Sequence, residues 1–359
     1  MKVLYITYIE FKSTQFGASM RPQRMYRTFL EEGHEVKLLA VSQNRSCWNE
    51  RRAAVAEISR WLDETPPDIC YIESPVYPIL MDCDYRLIRK IHRLGIPMGY
   101  YYRDCHRKFP ELFPPRGGLV GSLKEAYLSY KQKRTDEILR LMDIVYFPTR
   151  CFYDLFDYAD MRALPPGGVN RLGLSSPEKN TCIYVGGIVD TYGGSLLLDA
   201  FECLNRGEET YRLILVCREK EWNSVQHPCK DAPWLEVHHA FDNELEPLYK
   251  RAELAMAVYD GRAYANLTAS IKLFEYLGWG LPFVVSGAAE MEDMAVRTGC
   301  GMRAARTPEA IAEAVRLVLR DREHYADAAR ALFLGGNSWH DRVKQVVREL
   351  SEKKTGIEG

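Results

Sequence analysis

Ser270-Ile271-Lys272-Leu273-Phe274-Glu275-Tyr276-Leu277-Gly278, followed by Trp279-Gly280-Leu281-Pro282-Phe283-Val284-Val285, spells a helix, a glycine-proline turn and a strand. The spacing predicts a helix over 268–278 and a strand over 281–285. A helix N-terminus offers free N–H groups and a partial positive charge, which suits a diphosphate. Lys272 in the first turn adds a full charge. Glu275, three residues on, shares its face and can accept hydrogen bonds from two adjacent hydroxyls, as on a ribose. An exposed Lys–Glu pair at the same spacing is the competing reading, and the residues alone leave both open.

Working outward, the same alternation fills the second half of the chain. Strands are predicted at 181–185, 211–217, 235–238 and 253–259, and helices at 195–205 and 243–251. The first half reads likewise. Strands are expected at 3–8, 35–41, 68–73, 97–102 and 143–147, with helices at 20–32, 50–63, 82–94 and 122–141. Repeated strand–helix–strand units imply parallel, doubly wound sheets. Between the halves, Pro165-Pro166-Gly167-Gly168 and Ser175-Ser176-Pro177 mark residues 162–180 as a linker. The expected fold class is therefore α/β, with two doubly wound, Rossmann-like domains at 1–165 and 166–337.

Length agrees: 359 residues exceed one domain of roughly 150. A formal net charge of −1 argues against nucleic acid as a partner. No two of the ten cysteines have the two-residue spacing of a zinc or thioredoxin-like pair. Cys70, Cys182 and Cys217 lie in apolar runs, the usage of a reducing compartment. Met1-Lys2 leads straight into a strand, and no run approaches the roughly 18 apolar residues of a membrane span. The expected location is cytoplasmic, with at most peripheral contact at the inner membrane face.

Ligands of such sheets bind beyond the carboxyl ends of the strands. Besides Lys272 and Glu275, three loops there are candidates. Tyr184-Val185-Gly186-Gly187, with Asp190-Thr191-Tyr192-Gly193-Gly194, lets a ligand approach the backbone, or is an ordinary turn. Arg103-Asp104-Cys105-His106 places polar side chains at a strand end, or is a surface ion pair. Phe16-Gly17-Ala18-Ser19 precedes a helix bearing Arg21 and Arg24, which binds an anion or is merely solvated. Asp82-Cys83-Asp84 is the sole Asp-x-Asp and opens a helix, so it reads as N-terminal capping, not as a metal site. No metal or cofactor is expected. Residues 122–140 combine Lys124, Lys131, Lys133, Arg134 and Arg140 with Tyr127 and Tyr130, which suits an anionic membrane surface. Glu125, Asp136 and Glu137 dilute that charge and favour a solvated helix.

At the Lys272–Glu275 segment the whole chain resembles retaining glycosyltransferases of the GT-B fold, particularly family 4. Glu32-Gly33-His34-Glu35-Val36 is similar to that family's lead into its second strand, and Ser270–Tyr276 with Gly280-Leu281-Pro282 to its "KLFEY…G-P" form in polysaccharide-building members. The resemblance implies two domains facing across a cleft, the last helix (338–352) returning to the first. It implies a nucleotide-sugar donor bound by Gly17, Gly186, Gly187, Ser270, Ile271, Lys272 and Glu275, with Glu275 on the ribose and Ser270 and Lys272 on the phosphates. Arg103, Asp104 and His106 would stand near the transferred sugar, and the His238-His239 loop near the base. The chain departs from the family at three places. Leu267 stands where a first glutamate is usual, and Gly187 and Tyr192 where an arginine and a lysine flank the diphosphate. Arg218 or Arg262 is the expected substitute cation. The activity implied is metal-independent sugar transfer with retention, to a glycan, lipid-linked or small-molecule acceptor. A non-catalytic partner subunit and a nucleotide-sugar epimerase are the alternatives.

Overall fold

A computed structural model describes residues 1–11, 17–114, 117–189, 192–259, 261, 265–267 and 269–355. Phe16, Asp190, Thr191 and Arg262 lie outside the described residues. The chain divides into two compact units, Met1–Pro165 with Trp339–Gly359, and Pro166–Ser338.

The first unit runs β1 (Lys2–Thr7), α1 (Gly17–Glu31), β2 (Glu35–Ala40), α2 (Trp48–Glu64), β3 (Ile69–Glu73), α3 (Asp82–Arg93), β4 (Met98–Tyr101), α4 (Gly118–Leu139), β5 (Ile144–Phe147) and β6 (Met161–Ala163). Its sheet has the order β2-β1-β3-β4-β5-β6, every pair parallel. Residues of β3, β4 and β5 are buried throughout, as strands covered on both faces must be. β6 was not legible: it is a half-buried edge strand of three residues, starting where the composition predicted a linker.

The carboxyl-terminal helix α12 (Trp339–Thr355) belongs to this unit and buries Trp339, Val343, Val346 and Leu350. It passes so close to the sheet that a Cβ on Gly99 would stand 3.1 Å from Leu350 Cδ1 and 2.8 Å from Tyr146 Cε2.

Asp82-Cys83-Asp84 does not cap. The N-cap of α3 is Met81, with no side-chain bond to the helix. Asp84 is instead buried against Arg51 of α2, Nη2 to Oδ1 2.9 Å, with the guanidinium 3.8 Å over the Tyr8 ring. Asp82 accepts from Lys131 (3.1 Å) and Arg134 (2.7 Å) of α4. Both carboxylates tie α3 to its neighbours, and they serve its amino end only as first-turn charges, not as a hydrogen-bonding cap.

The second unit contains β7 (Thr181–Val185), α5 (Gly194–Leu204), β8 (Arg212–Val216), α6 (Glu219–Ser224), β9 (Leu235–His238), α7 (Glu246–Arg251) and β10 (Leu254–Val258). Then come α8 (Ile271–Gly278), β11 (Phe283–Ser286), α9 (Ala289–Thr298), β12 (Gly301–Arg303), α10 (Pro308–Arg320) and α11 (Arg322–Leu334). The parallel sheet has the order β12-β11-β10-β7-β8-β9. Helix α8 starts three residues later than predicted, after a short 3-10 turn at Ala265–Leu267. β7 has its sequence successor β8 on one side and β10 on the other, so the winding direction reverses between β7 and β10. That reversal opens a crevice beyond the strand ends, the general ligand site of such sheets.

Candidate functional site

The loops after β7 and β10 meet at that reversal, and Lys272 of α8 sits between them. Its ammonium lies 4.2 Å from the Tyr184 ring centroid and 4.7 Å from that of Tyr259. A Cβ added to Gly186 would stand 3.5 Å from Lys272 Nζ. Gly186 itself has φ 149°, which a side chain disfavours, so glycine keeps the backbone bare beside the cation. Among the described residues no carboxylate pairs with Lys272, so the exposed Lys–Glu pair is not formed. Burial pushes the ammonium down to about 7 from its ordinary 10.5. Aromatic faces recover part of the lost hydration. An anion would recover more.

The other predicted donor residues surround this point. Ser270 is the N-cap of α8 and lies close enough to Tyr259 to oppose the rise that burial imposes on that phenol. Ile271 is half-buried as the first residue of the helix. Glu275 is half-buried one turn on, near enough to Tyr249 to help raise that phenol. Tyr276, fully buried, donates to Met256 O (3.2 Å) and accepts from Val185 N–H (3.2 Å), clamping α8 onto both strands of the crevice.

Gly187 and Tyr192, which stand where the resemblance leads one to expect an arginine and a lysine, are packed against each other. A Cβ on Gly187 would stand 2.5 Å from Tyr192 Cδ2, and the Gly187 carbonyl accepts from Tyr184 Oη at 2.6 Å. Arg218, the expected substitute, is exposed and donates to Glu221 Oε1 at 2.6 Å. The other oxygen of Glu221 accepts from Ile188 N–H (3.2 Å), so this pair braces the glycine loop. His238 Nε2 meets Glu236 (2.6 Å) and His239 Nδ1 meets the Cys217 carbonyl (2.8 Å).

In the first unit, Arg103 Nε donates to Asp104 Oδ2 at 2.8 Å, and His106 Nε2 stands 4.0 Å from Asp104 Oδ1. Burial lowers the His106 pKa, Asp104 opposing. The imidazole packs on Phe113, ring centroids 4.2 Å apart. Asp104 and His106 line a cavity of about 410 Å³ at the ends of β3 and β4, walled by Tyr102, Phe156 and Tyr158 and edged by Lys108 and Lys133. Gly17 opens α1. Arg21 is not solvated: it is buried, donates to Glu73 Oε1 (3.2 Å) and Pro165 O (3.3 Å), and stacks 3.5 Å over Tyr101. Among the described residues no group of three or more His, Cys, Asp or Glu could hold a metal ion.

Residues 179–321 match the family Glycosyl transferases group 1. The second unit carries a group 1 glycosyltransferase domain. Whole-chain likeness extends to solved glycosyltransferases. Anabaena HepE in complex with UDP superposes with a TM-score of 0.67 at 13% identity, over 98% of this chain and 100% of that one. A Rickettsia africae glycosyltransferase gives 0.66 at 12%, over 98% of both. A UDP-forming α,α-trehalose-phosphate synthase from Burkholderia vietnamiensis gives 0.58 at 12%, over 97% and 84%. No curated protein matches the chain in sequence. At such identities the likeness establishes architecture alone: two six-stranded parallel α/β units in the GT-B fold.

Within the glycosyltransferase domain, Tyr184, Tyr259 and Tyr276 went unrecognised in the sequence as parts of the Lys272 site. Tyr184 lies in an apolar run, Tyr259 follows one and Tyr276 belongs to the apolar face of a helix, so each reads as core. Only the adjacency of β7 and β10, which the sequence order hides, brings Tyr184 and Tyr259 round one ammonium and lets Tyr276 bridge the two strands.

Proposed function

We propose that the protein transfers a sugar from a nucleoside-diphosphate sugar, held in the second unit, to a carbohydrate or lipid-linked acceptor received by the first. The observation that carries this reading is the desolvated Lys272 ammonium, beside the bare backbone of Gly186 at the sheet's reversal and paired with no carboxylate among the described residues. A diphosphate there would supply the missing counter-charge. As the sugar–phosphate bond breaks, negative charge grows on the departing diphosphate, and Lys272 with the N-terminal N–H groups of α8 would stabilise it without a metal. Glu275 would accept from the ribose hydroxyls.

Asp104 and His106 line the cavity in which the acceptor would sit. Transfer with retention, the donor phosphate helping to deprotonate the acceptor, requires no further base. Inversion would draw on Asp104 or His106, the latter favoured neutral by burial.

A non-catalytic partner subunit is the second reading, and the mutual packing of Gly187 and Tyr192 favours it, because it closes the place of one family cation. Calorimetry with UDP, GDP, ADP and dTDP separates the two. Binding of one of them, weakened at least tenfold by Lys272→Ala, supports transfer; binding of none supports the subunit.

A further inference from the structure

The amino-terminal half of α4 presents apolar side chains to solvent in a stripe. Leu119 is 86% exposed, Val120 83% and Leu123 73%, and Tyr127 and Tyr130 continue the line at 45% and 57%. Residues 119, 123, 127 and 130 follow the i, i+4, i+8, i+11 spacing of one helical face. The opposite side of the same helix buries Leu128 and Leu139 in the unit's core. α4 is thus apolar on two sides, and core packing accounts for only one. Isolated exposed leucines need no explanation, but a contiguous apolar ridge marks an interaction surface.

Charge decides what covers it. Residues 117–134 hold four cations, Lys124, Lys131, Lys133 and Arg134, against the single carboxylate of Glu125. Asp82 engages Lys131 and Arg134. Lys124 and Lys133 pair with no carboxylate among the described residues. A second copy of this chain, meeting the ridge about a two-fold axis, would set these cations against their own duplicates. An anionic bilayer meets both features at once: the leucines enter the acyl boundary while the lysines stay among the headgroups.

We propose that the face of α4 carrying Leu119, Val120 and Leu123 docks on an anionic membrane surface. The ridge adjoins the cavity of the first unit: Lys124 Nζ lies 5.9 Å from the ring of Tyr77, which lines that cavity. Docking therefore brings the cavity to the headgroup layer, where its Lys108 and Lys133, which pair with no carboxylate among the described residues, suit a phosphate-bearing acceptor anchored in the bilayer. The acceptor assignment rests on the transferase reading; the docking does not.

Sedimentation of the full chain with phosphatidylglycerol-containing vesicles tests this, against neutral phosphatidylcholine vesicles and across a salt series. The expected result is binding to the anionic vesicles that weakens with salt, and a loss of about tenfold or more for the double variant Leu119→Glu/Leu123→Glu, whose buried apolar area is forfeited. Both positions are exposed and outside the cavity lining, so the variant's melting temperature and nucleotide binding should match the parent's. No binding to anionic vesicles overturns the proposal, as does a variant that binds as well as the parent. A parent that light scattering finds dimeric and a variant found monomeric would also overturn it, assigning the ridge to a second copy. Vesicle binding without nucleotide binding sustains the docking and removes the transferase reading.

Discussion

Lys272 and Tyr184 meet with the ammonium 4.2 Å from the ring centroid, an α8 side chain resting on a residue of β7 distant in sequence. A cation desolvated there, with no carboxylate partner among the described residues, destabilises the fold in exchange for readiness to bind an anion. Its folded-state pKa is lowered to about 7 against an ordinary 10.5. Between those values the unfolded chain binds more protons than the folded one, so stability rises with pH across that window and the penalty is complete below it.

Lys272→Met should therefore raise the melting temperature of the ligand-free protein near pH 7 and below. The gain should shrink as pH approaches about 10, where the parent lysine is neutral in the fold too. Thermal melts of both proteins across that range check it. A variant less stable than the parent at low pH would contradict an ammonium held at a net cost of desolvation.

Nucleoside-diphosphate binding, on the proposed function, should take up a proton above pH 7. The bound phosphate favours the ammonium, so the pKa rises in the complex, and affinity falls as pH climbs from about 7 toward that raised value. Calorimetry in two buffers of different ionisation enthalpy reads the proton directly. Lys272→Met should abolish both the uptake and the slope.

Gly187 and Tyr192 should be coupled. Gly187→Ala places a Cβ where the Tyr192 ring stands, and overpacking of this kind costs about 1–3 kcal/mol unless the ring moves away. Combined with Tyr192→Ala, the same change should cost less. A double-mutant cycle by urea denaturation measures the difference, and additive effects would mean that the two do not touch in solution.

Asp84→Ala should destabilise the first unit by about 3–5 kcal/mol, because it leaves the Arg51 guanidinium buried without its carboxylate. Asp82→Ala, removing a half-exposed carboxylate from Lys131 and Arg134, should cost under about 1 kcal/mol. The contrast between neighbouring aspartates, read from chemical denaturation, separates a buried ion pair from helix capping, under which the two would matter alike.

The strand–helix alternation belongs to the sequence alone: apolar runs such as Val3–Ile6 and Ile69–Ile72 can only be strands buried on both faces, and two series of them imply two wound sheets. The sequence also singled out Lys272 and Glu275, because a lysine in the first turn of a helix between two strands is a local signal. Neighbours across the sheet are not local. Which strand lies beside β7 is decided by the order in which crossovers pack, and that order put Tyr259 and Tyr184 round one ammonium, while the packing of α3 on α2 in the first unit sent Asp84 inward to Arg51. A side chain's charge can be read from its letter, but its desolvation and its partners exist only once distant strands have closed around it.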